Sequence, residues 1–269
     1  MAHQTHGKNL KSLDLYNKRL GRVPKSIWGL SNLETLNLAD NSLVSLSEAI
    51  GNLVNLTMLD LGHNQLSSLP ETIGNLTKLR FLYLSNNKLK SLPGTIWELK
   101  TLIYLNITDN GLSSLTDKIA GLSNLIELRL YNNQLASLPE SIGALENLLE
   151  LHLMNNRLTS IPESVGTLRN LKKLMLEGNR IEILPDSLGK AVRLTDLDLR
   201  NNSLKNIPNA IGKLKQLRFL DLRANQLASL PASLIKLVKL EKLDLRWNKS
   251  LSIPKWIAKL EERGCIVYT

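Results

Sequence analysis

Residues 56–76 read LTMLDLGHNQLSSLPETIGNL, and the spacing of their apolar residues decides the fold. Leu56 to Asn64 run L-x-x-L-x-L-x-x-N. The L-x-L step puts Leu59 and Leu61 on one side of an extended strand, because side chains alternate across it. The residues around them face the other way. Asn64 follows at a turn, where an amide side chain can donate and accept at once and so satisfy buried backbone groups. Pro70 then starts a short helical or 3₁₀ return segment, its fixed φ suiting a first helical position. Ile73 and Leu76 point back inward.

The frame recurs along the chain. Asn41, Asn64, Asn87, Asn110, Asn133, Asn156, Asn179, Asn202, Asn225 and Asn248 follow one another every 23 residues without insertion or deletion. Lys18 holds the same slot one step earlier, which makes eleven repeats. All nine prolines occupy one slot, from Pro24 to Pro254, and only Ser47 and Thr116 depart from it. A strand, a crossover and a parallel strand in one sheet turn right-handed. The expected fold class is therefore α/β, a right-handed solenoid bent into a horseshoe arc. A parallel β-sheet lines the concave side, and short helices or 3₁₀ segments cover the convex side. No single repeat can bury its own core, so stacked neighbours must supply the rest. Residues 10–253 read as eleven repeats of one domain, 1–9 as an N-terminal tail and 254–269 as a C-terminal cap.

These phased asparagines and prolines resemble the leucine-rich-repeat superfamily. The 23-residue length is most similar to the intracellular type found in Shoc2/Sur-8-like scaffolds, plant Ras-group-related proteins and bacterial proteins. The ending LDLRWNKSLSIPKWIAKLEERGCIVYT looks most like the bacterial members. The resemblance implies a non-catalytic scaffold that recognises a protein, with small GTPases or phosphatases as candidate partners in signal transduction.

Composition agrees. Aromatics are 4% of the 269 residues, so leucine builds the core. There is no apolar run of membrane-spanning length and no apolar leader, and the expected location is the cytoplasm. Cys265, the one cysteine, rules out an internal disulfide. The net charge of +10 raises the question of nucleic acid. The strand slots that face away from the core, however, hold ten basic and thirteen acidic residues, near −3, which leaves about +13 for the rest of the chain. An inner groove that tracked phosphates would show the opposite excess. Neither nucleic-acid binding nor membrane insertion is expected.

Function in this architecture belongs on those outward strand slots. Phe81, Tyr83, Tyr104, Arg129, Tyr131, His152, Met154 and Met175 fall in them on neighbouring strands. Aromatic and Arg anchors of this kind carry most of the energy of protein interfaces, and exposed Met adapts to a partner's shape. Aromatic residues also simply fit a pleated surface. Further on, Asp198, Asp221 and Asp244 share one column and Arg200, Arg223 and Arg246 the column two residues later. They predict a surface ladder of ion pairs across adjacent strands. Trp28 and Trp97 replace a convex-side Gly and read as local packing.

The ends are unequal. A continued 23-residue register puts Ile266 and Tyr268 in the inward slots of a twelfth strand, with Trp256 packing in the cap. At the other end, Gly7 and Gln4 stand where repeats carry Leu and Ile, and Leu10, Leu13, Leu15 and Leu20 face an open edge.

No Walker A, dinucleotide-binding, zincin or nucleophile-elbow motif occurs. His3 and His6 lie in the tail, and His63 and His152 sit alone on the strand face. His152 and Cys265 fall five strands apart, about 24 Å, too far for a catalytic pair. No enzyme activity, cofactor or metal is expected. The alternatives are a targeting segment of a larger kinase, GTPase or ubiquitin ligase, or a host-interacting adhesin or effector.

Overall fold

The computed structural model describes residues 9–269, so Gln4, Gly7, His3 and His6 lie outside it. The chain forms two compact units. One runs to Ser113 and takes in Lys118–Arg129; the other holds Ser114–Asp117 and Leu130–Thr269.

In the first unit six three-residue strands follow one per repeat: β1 (Ser12–Asp14), β2 (Thr35–Asn37), β3 (Met58–Asp60), β4 (Phe81–Tyr83), β5 (Tyr104–Asn106) and β6 (Glu127–Arg129). Each pairs parallel with the next in register, such as Leu59 with Leu82 and Leu82 with Leu105. The second unit continues the pattern with β7 (Glu150–His152), β8 (Lys173–Met175), β9 (Asp196–Asp198), β10 (Phe219–Asp221), β11 (Lys242–Asp244) and β12 (Ile266–Tyr268). All pairing there is parallel too. The middle leucines of β2 to β11 are buried, while the residues on either side of them are mostly half-exposed.

All returns but the last run through a five-residue 3₁₀ segment, which in most repeats begins directly after the proline, such as Glu71–Asn75 after Pro70. Where Ser47 replaces proline, its hydroxyl accepts a hydrogen bond from the Ala49 N–H at 3.2 Å, so a side-chain cap stands in for the ring. The return segments of adjacent repeats press close. A Cβ on Gly166 would sit 2.3 Å from the Ser187 carbonyl oxygen, which explains why Gly follows the inward Val165. Trp28 and Trp97, in the same slot of other repeats, are buried as expected.

The asparagines form a ladder. Asn156 accepts from the Leu135 N–H at 3.0 Å and donates to the carbonyls of Leu130, Leu153 and Met154 at 3.0 to 3.2 Å. Its amide thus ties its own turn to the preceding repeat, and it is buried. Asn64, Asn179, Asn202, Asn225 and Asn248 repeat the scheme. Asn41, Asn87 and Asn110 do so half-buried, and Asn133 is buried and donates to Leu130 and Tyr131. At the first repeat, Lys18 and Leu20 donate their backbone N–H groups to Asn41.

The residue before each ladder Asn, and Asn17 before Lys18 in the same slot, has a backbone the sequence does not announce. Asn17, Asp40, His63, Asn86, Asp109, Asn132, Asn155, Asn201, Ala224 and Trp247 all have φ between 50° and 63°, and Gly178 has φ 69°. This left-handed turn aims the next amide inward. Asn, Asp and Gly tolerate it.

The C-terminal register corrects the expectation. Leu243 pairs with Val267, 24 residues on, not with Ile266. Ile266 and Tyr268 therefore face outward, 56% and 40% exposed, and Val267 takes the inward slot. The last return contains a turn of α-helix, Ala258–Glu261, after the 3₁₀ turn Lys255–Ile257. An α-turn rises less per residue than 3₁₀, so the span takes one residue more. Gly264, at φ 88°, then redirects the chain. A one-residue slip swaps the two faces of a strand. At the opposite end Leu10 is 37% exposed and Leu13, Leu15 and Leu20 are half-buried.

Candidate functional site

All eight residues singled out from the sequence are half-buried. In the first unit, β4 and β5 bring Phe81 beside Tyr104 in register. The Tyr83 and Tyr104 rings lie 5.0 Å apart, tilted by 40°. Arg129, at the end of β6, holds its guanidinium 5.7 Å over the Tyr104 ring and is fixed by Glu127 on its own strand. Burial raises both phenols above their ordinary value. The result is a half-buried aromatic pair with a cation over one of its rings.

In the second unit, His152 and Met175 are register neighbours on β7 and β8. His152 is not alone, as the sequence reading had it: Nε2 lies 3.0 Å from Glu150 Oε2, while Lys173 holds Glu150 Oε1 at 2.9 Å. The Lys173 and His152 contacts pull the Glu150 carboxyl below its ordinary value despite burial. His63 in the first unit shares a 3.0 Å contact between Nδ1 and the Asn86 amide. Tyr131 and Met154 follow β6 and β7 by two residues on the same outward column.

The acidic and basic columns do pair. Arg223 makes three side-chain bonds to Asp221, two at 3.0 Å and one at 2.6 Å, and reaches Asp244 at 3.4 Å. Arg246 holds Asp244 at 2.9 and 2.7 Å, and Arg200 lies between Glu177 at 2.6 Å and Asp198 at 3.2 Å. The acids are not surface groups, however. Asp244 is fully buried and Asp198 nearly so. Burial pushes the Asp198 carboxyl up to about 6, whereas the two arginines around Asp244 keep its carboxyl low.

The slipped twelfth strand adds residues that sequence reasoning placed in the core. Tyr268 takes Lys242 at 5.2 Å and Arg246 at 4.8 Å over its ring, and Trp247, 66% exposed, lies 5.7 Å from the same arginine. Cys265 is buried, its thiol raised by burial, which makes it an unreactive cap residue.

Comparison with known proteins assigns the family. A family model described as a leucine-rich repeat region matches residues 45–130, 68–176 and 182–262, and another leucine-rich-repeat model matches 8–66. The chain belongs to the leucine-rich-repeat family. Among solved structures, a Leptospira interrogans leucine-rich-repeat protein is 36% identical with a TM-score of 0.80, the match covering 97% of this chain and 73% of that one. The plant peptide hormone receptor RGFR1, in complex with RGF2, is 33% identical with a TM-score of 0.75, over 84% of this chain and 38% of the receptor. The functional domain of InlJ from Listeria monocytogenes is 27% identical with a TM-score of 0.76, over 90% and 52%. The leucine-rich-repeat chain thus spans about half or less of the latter two. No curated protein sequence matches. The matched family models describe repeats and indicate no catalytic family. Among the described residues no helix is long and apolar enough to cross a membrane.

Proposed function

We propose that this leucine-rich-repeat chain is a non-catalytic recognition module that docks a protein or peptide partner on the outward face of its strands. The observation that carries this reading is the half-buried Tyr83–Tyr104 pair with Arg129 over the Tyr104 ring. Rings held by neighbours lose little freedom on binding, and a desolvated aromatic–Arg cluster is the usual anchor of an interface. Phe81, Tyr83, Tyr104 and Arg129 form the contact surface of the first unit, and Tyr131, His152, Met154 and Met175 that of the second. The similarity to a plant peptide hormone receptor, solved in complex with RGF2, supports a polypeptide ligand. Small GTPases and phosphatases remain the candidate partners that the family resemblance suggests.

The test is a crosslinking capture from host lysate with the native chain and with a variant carrying Tyr83→Ala, Tyr104→Ala and Tyr131→Ala. Loss of the captured partner by roughly tenfold or more, with an unchanged melting transition, is the expected result. Equal capture by a folded variant removes the reading. A second reading, the targeting segment of a larger protein, is favoured by the partial coverage of the receptor and InlJ chains. The complete reading frame decides it.

A further inference from the structure

On the outward face of the second unit, β8 to β11 line an open pocket of about 170 Å³. Ligand sites for drug-sized molecules run to several hundred Å³, so this one has room for a single long side chain. Its floor is the strand backbone at Leu197 and Leu220, whose side chains are buried on the core side. Met175 stands on one side and Phe219, 36% exposed, on the other. Three carboxylates complete the lining: Asp196, Asp198 and Asp221.

The internal cations leave this arrangement unequally compensated. Asp221 is taken up by Arg223, and Asp198 shares Arg200 with Glu177. Asp196 accepts a 2.6 Å hydrogen bond from the Thr195 hydroxyl and forms no ion pair among the described residues. Lys242, the one cation in the lining, carries its ammonium over the Tyr268 ring, toward β12. Phe219 serves as an apolar wall; Arg218, held by Glu241 through two bonds, already lies 5.0 Å over its ring.

A cleft walled by Met175 and Phe219, with a carboxylate that forms no ion pair and feels Arg218 only at longer range, matches one chemistry. Lys and Arg lay an apolar stem along such a wall and present the charge to the acid. We infer that this pocket receives a lysine or arginine side chain of the bound polypeptide, an assignment that rests on the strand-face docking reading and adds the chemistry of one partner residue. The raised Asp198 carboxyl agrees, because an incoming cation relieves a carboxylate that burial disfavours.

Methionine methyls provide the readout. Met175 lines the pocket, whereas Met58 and Met154 do not. The full chain with labelled methionine methyls is titrated with acetyl-Gly-Gly-Lys-Gly-Gly-amide and with its norleucine counterpart, which keeps the stem and lacks the charge. A saturable shift confined to Met175 with the lysine peptide, and far weaker with norleucine, is the expected result. Asp196→Asn, nearly isosteric, weakens the lysine titration by about threefold to fivefold. Equal response to norleucine overturns the proposal, as does indifference to Asp196→Asn or an equal response at Met58 and Met154. No native partner is needed. A failed titration alongside a successful tyrosine variant removes the pocket alone, and the converse removes the tyrosine surface alone.

Discussion

Asp198 shows how far a residue can depart from its reading in sequence. In the string it is one of three acids in a column with arginines two places on. In the fold it is 7% exposed and its carboxyl titrates near 6, against an ordinary 3.8. A raised acid favours folding where it is protonated in both states, below about pH 4, and that contribution is lost as pH rises through 6. Above that, a shift of about two units penalises the native chain by roughly 3 kcal/mol. Asp198→Asn removes the charge and keeps an oxygen to accept from the Arg200 N–H. From about pH 4.5 to about pH 7.5, urea unfolding should therefore move in favour of the variant by about 2–3 kcal/mol. A difference flat across that range would mean the carboxyl titrates normally. The left-handed column has a trace in the sequence. Asn, Asp and Gly recur before the ladder Asn because their backbones tolerate positive φ, but polarity alone does not separate that slot from an outward-facing strand position. Ala224 and Trp247 sit there without that tolerance.

At the scale of elements, the return segments are bound by close approach as much as by their inward apolar residues. The Gly166 backbone packs against the Ser187 carbonyl with no room for a methyl, whereas a Cβ at Gly29 would meet nothing within 4 Å. Gly166→Ala should cost about 1–3 kcal/mol, an overpacking penalty, while Gly29→Ala should change stability by less than about 0.5 kcal/mol. Equal effects in thermal unfolding would show that spacing between returns is not what selects glycine. Strand positions, proline starts and the inward Leu pattern were all readable, because each depends on residues close in sequence.

For the molecule as a whole, stability in a solenoid passes between nearest neighbours. The twelfth strand closes its end through Leu245 N–H to Tyr268 O at 2.7 Å and Ile266 N–H to Glu241 O at 2.8 Å, with Cys265 buried beneath. Deleting residues 265–269 should lower amide-exchange protection in β10 and β11 and leave β1 to β3 unchanged. Protection retained at β11 would show the cap to be dispensable. The charge separation read from sequence, near −3 on the outward strand slots and about +13 elsewhere, fits a partner chosen by local pairing and not by the overall basicity of the chain.

The amino-acid string alone determined the repeat, its parallel strands, the asparagine ladder and the face on which candidate contacts lie. A fixed period of 23 turns sequence neighbours into stacked neighbours, and period-two alternation divides the strand faces. Only the tertiary structure decided the register of β12, the depth of Asp198 and Asp244, the contact of Tyr83 with Tyr104 and the pocket beside Phe219. Each of these depends on how segments pack: whether the last return closes as 3₁₀ or as an α-turn, and how far neighbouring side chains screen a carboxylate from water. Local spacing carries no record of that.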